Sequence, residues 1–362
     1  MQIFLFYLSR FLKSVLLFCK NVKYVICFSL FFNVLCARGD DIMTNLDTSF
    51  DDVVKMIETR RNNAIRKVNE ELVGLYWDCG KYVSEKVKNE KWGSKTIDKL
   101  AYYIKNKYPN IKGFDRRNIY RMLQFYETYK DNKIVSELGT QISWTNNRLI
   151  LSMTNSMEEK EFYIKQCIKN NYKSEELVRQ IKSGYYERYM LSDSKLNTEL
   201  NSSTKFLDTY SLEFLNLPNN YKEKDLKEEI INNMKNFILE IGKDFIFMDS
   251  EYKVKVGNKN YYIDLLFYNR ELNCLVAFEL KIGEFKTKYI SKMNLYLEAL
   301  DKEKKENENP SIGVILCTSK DKQVVEYTMN KNISKQVISD YTLKLIDKKL
   351  LENKLKEMSL IN

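Results

Sequence analysis

The strongest constraint in this sequence is a set of three charged residues inside two apolar segments between residues 261 and 301. Asp264 interrupts the segment YYIDLLFYN, and Glu279 and Lys281 interrupt the segment CLVAFELKI. Both segments have the length and composition of buried β-strands. A charge in a buried strand costs several kcal/mol unless it is paired or holds a metal ion. The three charges therefore predict a functional site.

Strand geometry predicts that these charges meet. Side chains alternate between the two faces of a strand, so Glu279 and Lys281 share one face, and the apolar residues between them point to the other. If the two strands pair through the turn at residues 269–273, Asp264 faces Glu279. Two carboxylates and an ammonium would then lie on one side of a sheet.

Composition narrows the chemistry available to such a site. The chain has 362 residues, which is enough for two domains of ordinary size. Its composition, 44% hydrophobic and 30% charged, is typical of a globular protein. It has no histidine. This excludes Ser-His-Asp and Cys-His catalysis and histidine-bound zinc. A metal would sit on carboxylate and carbonyl oxygens, which favours Mg²⁺ or Mn²⁺.

Charge and cysteine content bear on partner and compartment. The formal net charge of +10 suits an anionic partner such as DNA. An AT-rich genome, which also raises the content of lysine, is an alternative cause. The seven cysteines form no C-x-x-C motif. They are interpreted as reduced thiols of a cytoplasmic protein.

Residues 1–42 form an apolar extension with basic residues scattered through it. Its longest uncharged run, residues 24–37, is shorter than the roughly 20 residues that a membrane span needs. One interpretation is a weak membrane anchor. Another is a start assigned too early, because Arg38-Gly39-Asp40 can be encoded by a purine-rich ribosome-binding sequence just before Met43. A membrane partner is expected only if residues 1–36 are translated.

Residues 43–190 are predicted to be an all-helical domain. Two of its helices are separated by a short turn that contains Gly113, and Asp115 is placed to cap the second. This order is that of a helix-turn-helix. The start of the second helix carries groups suited to DNA phosphates and base edges: Arg116, Arg117, Asn118 and Arg121. The alternative is two antiparallel helices with a solvated basic end.

A segment rich in Ser, Thr and Asn, residues 191–205, is predicted to connect the helical domain to a second domain at residues 206–350, followed by a C-terminal tail at residues 351–362. The second domain is predicted to begin with a helix over residues 225–241, followed by strand-like segments at residues 245–248 and 252–256. Its overall predicted order is α-β-β-β-α-β. The fold is thus α+β overall, with an α/β C-terminal domain in which helices flank a central mixed sheet.

The C-terminal part resembles the PD-(D/E)xK nuclease superfamily, and within it the YhcG-type nuclease family. The segments that carry this resemblance are IDLLFYNRELNCLVAFELKIGEFK, KMNLYLEALD and NPSIGVILCTSKDKQVVEY, together with WGSKTIDKLA, GFDRRNIYRMLQFY and SWTNN in the helical part. The proline that the superfamily has before its first aspartate is Ile263 here. The resemblance implies an Mg²⁺-dependent endonuclease with a helical N-terminal domain.

The resemblance also implies roles for particular residues. Asp264 and Glu279 would be catalytic and hold the metal, together with the Leu280 carbonyl. Lys281 would orient the attacking water or stabilise the developing charge. A further acidic residue on the preceding helix often completes such sites, and the candidates are Glu228 and Glu229.

On the following helix, Lys292 and Tyr296 are one turn apart. They either face the substrate or are ordinary helix residues.

Two further hypotheses compete with a DNA endonuclease. One is a catalytically silent nucleic-acid-binding or regulatory module that retains the nuclease fold. The other is a membrane-tethered interaction protein, which depends wholly on residues 1–36. The sequence leaves the oligomeric state open, a homo-oligomer included.

Overall fold

The structure is a computed structural model that describes residues 22–89, 94–192, 205–329 and 335–361. Over residues 22–49, and at a few later helical positions, it describes the backbone alone. The predicted extension, residues 1–42, lies outside the residues with described side chains. The chain divides into two compact units, residues 1–68 and 69–362, and the side-chain contacts below lie within the second unit. Within the described part of the chain, no helix is both long and apolar enough to cross a membrane.

The N-terminal part of the chain is helical, as the sequence predicts. Its helices are α1 (Val22–Asn89), α2 (Ser94–Lys107), α3 (Arg116–Tyr129), α4 (Lys133–Gly139), α5 (Trp144–Met153), α6 (Met157–Asn170), α7 (Ser174–Lys182) and α8 (Tyr185–Leu191). Side chains cap several of them. Asp115, Asn132, Ser143 and Ser156 each accept a hydrogen bond from the backbone amide three residues later. Such caps satisfy amides that a helix start leaves unpaired, and the predicted Asp115 cap is confirmed.

Aromatic side chains form much of the core of this helical part. Phe125 of α3 is fully buried. Trp144 packs against it and against Tyr76, with ring centroids 5.5 and 4.7 Å apart. Trp144 is therefore part of the aromatic core. Gly80 lets α1 approach α3 closely, because a Cβ atom there would overlap the Met122 carbonyl.

The predicted connection, residues 191–205, lies almost wholly outside the described residues. After it come β1 (Thr209–Ser211), a 3₁₀ turn (Glu213–Leu215), α9 (Glu223–Asn232), α10 (Met234–Ile241), β2 (Phe245–Val256), β3 (Lys259–Asn269), β4 (Cys274–Leu280), α11 (Lys288–Glu303), β5 (Ile312–Cys317), α12 (Lys322–Met329), β6 (Gln336–Thr342) and α13 (Lys348–Ile361).

These strands form one mixed sheet in the order β1-β6-β5-β4-β3-β2. Strands β2, β3 and β4 pair antiparallel, whereas β4, β5, β6 and β1 pair parallel. Every residue of β5 is buried, which explains its uninterrupted apolar sequence. The α+β architecture and the mixed sheet confirm the predicted fold class.

Three local features differ from the sequence-based prediction. The helix predicted over residues 225–241 is divided into α9 and α10 at Asn233. The two strands predicted at residues 245–248 and 252–256 are one strand, β2, with an irregular step between Phe247 and Asp249. Strand β1 was not predicted, because three residues are too few to show a period.

Helices cover both faces of the sheet. On one face, Phe237 of α10 packs against Phe267 and Phe278, with ring centroids 5.9 and 5.8 Å apart. On the other face, α11 lies close to β5. Gly313 permits this approach, because a Cβ atom there would overlap the side chain of Met293. Burial on both faces makes the few charged residues of these strands conspicuous.

A buried ionic network joins the helical part to the sheet. The Glu240 side chain on α10 is 0% exposed. Its carboxylate accepts hydrogen bonds from Arg188 of α8 at 2.5 Å, from Arg179 of α7 at 3.2 Å and from the Ser211 amide at 2.8 Å. The two parts of the second unit thus share a buried interface rather than a connecting segment alone.

The C-terminal residues add a second connection of this kind. Residues 348–361, which include most of the predicted tail, form α13. Lys348 at its start pairs with Glu159 of α6 at 2.5 Å. Leu351 is buried, and a Cβ atom at Gly184 would overlap its side chain. The C-terminal segment is therefore packed on the helical part and is not an extended tail.

Candidate active site

Asp264 and Glu279 are brought together by the β3–β4 hairpin. The register pairs Leu265 with Phe278, and extending it by one residue places Asp264 opposite Glu279. Opposed residues of an antiparallel pair lie on the same face. The Leu280 amide donates to Asp264 Oδ2 at 2.9 Å, which anchors the Asp264 carboxylate at the end of β4. The pairing that the sequence predicts is confirmed.

Glu279 is the centre of this arrangement. Its side chain is 1% exposed, and Oε1 accepts from Lys281 Nζ at 2.9 Å and from Lys292 Nζ at 2.6 Å. The other oxygen, Oε2, is buried and has no hydrogen-bond partner. A buried carboxylate oxygen without a partner is costly. This oxygen is therefore suited to a ligand that binds between the two carboxylates.

The electrostatics of the two carboxylates agree with this description. Burial raises the pKa of the Asp264 carboxyl, and the nearby Glu279 charge raises that pKa further. Two carboxylates that share a site resist simultaneous ionisation unless a cation lies near them. The pair therefore has the charge distribution of a cation site.

Both lysines are firmly protonated. Burial disfavours the charged form of Lys281, but the Glu279 carboxylate outweighs this and the pKa of Lys281 is raised. The pKa of Lys292 is also raised, because its hydrogen bond to Glu279 outweighs the effect of burial. Neither ammonium can act as a general base at neutral pH. Both can stabilise negative charge on a substrate.

Lys292 and Tyr296 of α11 both lie at the site. The hydroxyl of Tyr296 donates to the Tyr262 carbonyl on β3 at 2.5 Å. The Lys292 ammonium is 5.3 Å from the centroid of the Tyr296 ring. Tyr296 is fully buried in the core, so it fits the second of the two alternatives, an ordinary helix residue, whereas Lys292 is 41% exposed and contacts Glu279, which is compatible with the first.

The acidic residue that α9 brings to the site is Glu223, which was not among the residues predicted from the sequence. Glu223 Oε2 is 3.0 Å from Lys281 Nζ. The predicted candidates lie elsewhere on the helix: Glu228 pairs with Lys224 at 3.6 Å, and Glu229 contacts Asn232 and Asn233. Because the helix was predicted to begin at residue 225, Glu223 lay outside it. The residue before it, Lys222, is not a type that usually caps a helix, so the sequence did not indicate that the helix begins at Glu223.

The predicted nucleic-acid-binding residues lie at the start of α3, but they are not equivalent. Arg116 forms an ion pair with Asp98 of α2. The Asn118 side chain donates to the capping residue Asp115 at 2.7 Å. Arg117 is exposed and Arg121 is half-buried. The first two are thus already engaged, and the last two are the more available groups.

Comparison with known families accounts for both parts of the chain. Residues 203–356 match the model of the YhcG PDDEXK nuclease domain, and residues 52–188 match that of the DUF1016 N-terminal domain. The chain belongs to the YhcG-type family of PD-(D/E)xK nucleases. The matched range contains Asp264 and the Glu279-Leu280-Lys281 segment, which follow the D…ExK order of residue types, with Ile263 before Asp264.

A relative supports the same assignment over nearly the full length. The chain is 27% identical over 349 residues to the protein described as "Putative nuclease YhcG" from Escherichia coli (strain K12), covering 84% of this chain and 92% of the relative.

Two solved structures show weaker likenesses to this YhcG-type chain. A repair endonuclease from Pyrococcus abyssi aligns with 36% of this chain and 50% of its own, at 17% identity and a TM-score of 0.24. The EndoMS–dsDNA2 complex aligns with 36% and 48%, at 16% identity and a TM-score of 0.26. These alignments span about half of each solved chain, and the family assignment does not rest on them.

Proposed function

We propose that this protein is a divalent-metal-dependent DNA endonuclease that hydrolyses phosphodiester bonds in its C-terminal domain and contacts DNA through its helical domain. The observation that carries the proposal is the state of Glu279. This carboxylate is buried opposite Asp264, holds two ammonium groups on one oxygen and keeps the other oxygen without a partner. That combination suits a site that binds a cation and an anionic substrate together.

The donor groups fit a hard divalent cation. Asp264, Glu279 and the Leu280 carbonyl would hold Mg²⁺ or Mn²⁺, because oxygen donors suit these ions. When bound, the metal neutralises the scissile phosphate and acidifies the attacking water. Among the described residues, no group of three or more His, Cys, Asp and Glu side chains could hold a metal. The proposed ligand set is therefore two carboxylates supplemented by a carbonyl and water.

The protein's own cations have separate tasks in this proposal. Lys281 is protonated and 12% exposed, so it stabilises charge that develops on the phosphate rather than accepting a proton. Glu223 positions the Lys281 ammonium through their 3.0 Å contact. Lys292, whose side chain is 41% exposed, is open to a phosphate oxygen at the edge of the site.

Contact between the helical domain and DNA is supported by local geometry and charge. Helices α2 and α3 are joined by a short turn in which Gly113 has a φ of +91°, a value that favours glycine. Helix α3 then presents Arg117 and Arg121, and the chain as a whole carries a net charge of +10. In a helix-turn-helix, the second helix places such residues against phosphates and base edges.

A cleavage assay tests this function. Supercoiled and linear DNA are incubated with the protein in Mg²⁺, in Mn²⁺ and in EDTA, and a parallel reaction contains RNA. We expect nicking or cutting of DNA in either metal and none in EDTA. Asp264→Ala and Lys281→Ala should abolish it. The matched controls are Asp249→Ala, an exposed carboxylate on β2, and Lys286→Ala, an exposed lysine just before α11.

Other outcomes decide against the proposal in distinct ways. Equal cleavage by the wild type and by both active-site variants would assign the activity to a contaminant. Cleavage of RNA alone would change the substrate class. Salt-sensitive DNA binding without cleavage in either metal, unaffected by Asp264→Ala, would favour the silent nucleic-acid-binding module.

A further inference from the structure

The arginines between residues 69 and 362 fall into two groups. One group is neutralised by carboxylates: Arg116 pairs with Asp98, Arg179 and Arg188 with Glu240, and Arg270 with Asp244. The other group, Arg117, Arg121 and Arg148, forms no ion pair with any carboxylate in the described parts of the chain. All three unpaired arginines line one surface, which α3 and α5 form together.

This surface contains a notch of about 260 Å³ between α3 and α5. Its polar lining comes from Arg121 and Gln124 on α3 and from Thr145, Arg148 and Ser152 on α5. A second, more open hollow shares Arg121 and Gln124 with the notch and extends along α3 past Arg117 to Asp115 and the paired Arg116. Arg121 therefore lies between the other two arginines.

The environment of Arg148 in this notch is energetically unfavourable. Its Nε group is buried and has no hydrogen-bond partner. Burial lowers the pKa of its guanidinium, and the charges of Arg121 and Arg117 lower it further, with Asp115 only partly opposing them. Asp115 is already engaged, because it accepts hydrogen bonds from both the backbone and the side chain of Asn118. A bound anion would supply the missing acceptor and relieve the repulsion between like charges.

We propose that Arg121 and Arg148 form a binding notch for phosphates of the DNA backbone, with Arg117 as a flanking phosphate contact. Planar guanidinium groups suit phosphate oxygens, and adjacent arginines can contact successive phosphates. The inference rests on the proposed DNA contact and sharpens it. It adds Arg148, from a helix outside the helix-turn-helix, and it removes Arg116, whose charge Asp98 already neutralises.

Only part of this site could be predicted from the sequence. Arg117 and Arg121 lie near the start of an amphipathic helix that follows a short turn, a position typical of DNA-binding residues. Arg148 lies within SWTNNRLIL, next to residues that are buried in the core. Only the packing of α5 against α3 brings it beside Arg121.

The test measures DNA binding in EDTA, so that no cleavage can occur. A fluorescent duplex is titrated with the protein, and its anisotropy is followed at several salt concentrations. For Arg121→Gln combined with Arg148→Gln, we expect the dissociation constant to rise roughly tenfold and the slope of log K against log salt to fall by about 2, since each phosphate contact contributes about 0.9 to the slope.

Two matched variants remove an arginine whose charge is already paired, one beside Arg117 and one outside this surface. Arg116→Gln and Arg270→Gln each delete a guanidinium that is paired with a carboxylate, and we expect the slope of each to remain that of the wild type. If the double variant unfolds, as circular dichroism would show, Arg117→Gln with Arg121→Gln replaces it and should lower the slope by the same amount. The proposal is refuted if the folded double variant keeps the wild-type slope, or if Arg116→Gln lowers the slope by as much as the double variant does.

The outcome separates the notch from the nuclease activity. The same proteins are assayed for cleavage in Mg²⁺. If the double variant binds and cleaves like the wild type, the notch is refuted and the nuclease function stands. If the wild type binds DNA through the notch but does not cleave, the nuclease function fails and the notch stands. An acidic peptide that binds the wild type but not the folded double variant, while DNA binds both proteins equally, would show that the notch binds protein instead.

Discussion

The Nζ atom of Lys292 lies 2.6 Å from Oε1 of Glu279. The contact joins α11 to β4 across one face of the sheet, and Lys281 reaches the same oxygen at 2.9 Å. One carboxylate thus holds two cations while its second oxygen has no partner. A divalent metal that binds Glu279 must share this carboxylate with both ammonium groups. Lys292 is therefore expected to influence metal affinity as well as substrate binding.

Replacing Lys292 should separate these two effects. In Lys292→Gln, the negative charge of Glu279 is less compensated, so the Mg²⁺ concentration for half-maximal cleavage should fall about fivefold, in line with about 1 kcal/mol for a partly exposed ion pair. The cleavage rate at saturating Mg²⁺ should also fall, because a phosphate contact is lost. A metal titration of the cleavage rate measures both quantities.

Lys288→Gln is the control for this prediction. Lys288 is one turn earlier on the same helix and is exposed, so its removal changes the charge of the protein by the same amount. An unchanged Mg²⁺ requirement in Lys292→Gln, or an equal change in both variants, would contradict the proposed competition.

A second prediction concerns the acidic residue on α9. Glu223 contacts Lys281 at 3.0 Å, whereas Glu228 pairs with Lys224 on its own helix at 3.6 Å. We expect Glu223→Gln to lower the cleavage rate about tenfold, the scale typical of residues that orient a catalytic group. Glu228→Gln should cleave like the wild type.

The rate of each variant is measured at saturating Mg²⁺ and at several pH values. Loss of positioning should lower the rate without moving the metal requirement. A tenfold loss in Glu228→Gln with a normal rate in Glu223→Gln would show that the helix reorients when DNA binds.

The central part of the candidate active site could be predicted from the sequence because its signal is local. Asp264, Glu279 and Lys281 lie in one hairpin, and strand alternation alone places their side chains on one face. Glu223 could not be predicted in this way, because its distance to Lys281 depends on how a helix 58 residues away packs against the sheet. Arg148 escaped prediction for the same reason.

The fold likewise has features that local sequence predicts and features that depend on long-range packing. Long periodic segments such as α3 and the continuous apolar run of β5 were predictable. The break at Asn233, the three-residue strand β1 and the docking of α13 were not. Each of these depends on contacts between distant parts of the chain, and tertiary packing overrides local propensity at such places.

A third prediction concerns the buried network that joins the helical part to the sheet. Glu240 is fully buried and neutralises Arg188 and Arg179. In Glu240→Gln, the buried Arg188 loses its counter-charge, whereas Arg179 keeps its ion pair with Glu213 at 2.8 Å. We expect the free energy of unfolding to fall by about 3–5 kcal/mol, the usual cost of breaking a buried ion pair from one side. Urea denaturation followed by circular dichroism measures it.

Glu228→Gln is the matched surface control and should lose less than about 1 kcal/mol. If Glu240→Gln also lowered the free energy of unfolding by less than about 1 kcal/mol, water would have to reach the network and screen its charges.

The last prediction follows from a contact between α1 and α3. Glu127 of α3 accepts a hydrogen bond from Ser84 of α1, and it pairs with Lys130 at 2.6 Å and with Lys88 at 3.3 Å. The hydrogen bonds from Lys130 and Ser84 lower the pKa of Glu127 from 4.5 to about 2. Ionised Glu127 thus stabilises the folded state relative to the unfolded chain.

Because the folded pKa lies below the unfolded value, this stabilisation is complete above about pH 4.5 and is lost as the pH falls toward about 2. Glu127→Gln should therefore lower the free energy of unfolding by about 1 kcal/mol at pH 7, after allowance for solvent screening of a side chain that is 33% exposed. The difference from the wild type should shrink between pH 4.5 and pH 2.

Urea denaturation at pH 7, 5 and 3 measures this difference. The control is Glu137→Gln, which replaces an exposed glutamate on α4. A deficit of the same size at pH 7 and pH 3 would show that packing rather than charge accounts for the effect.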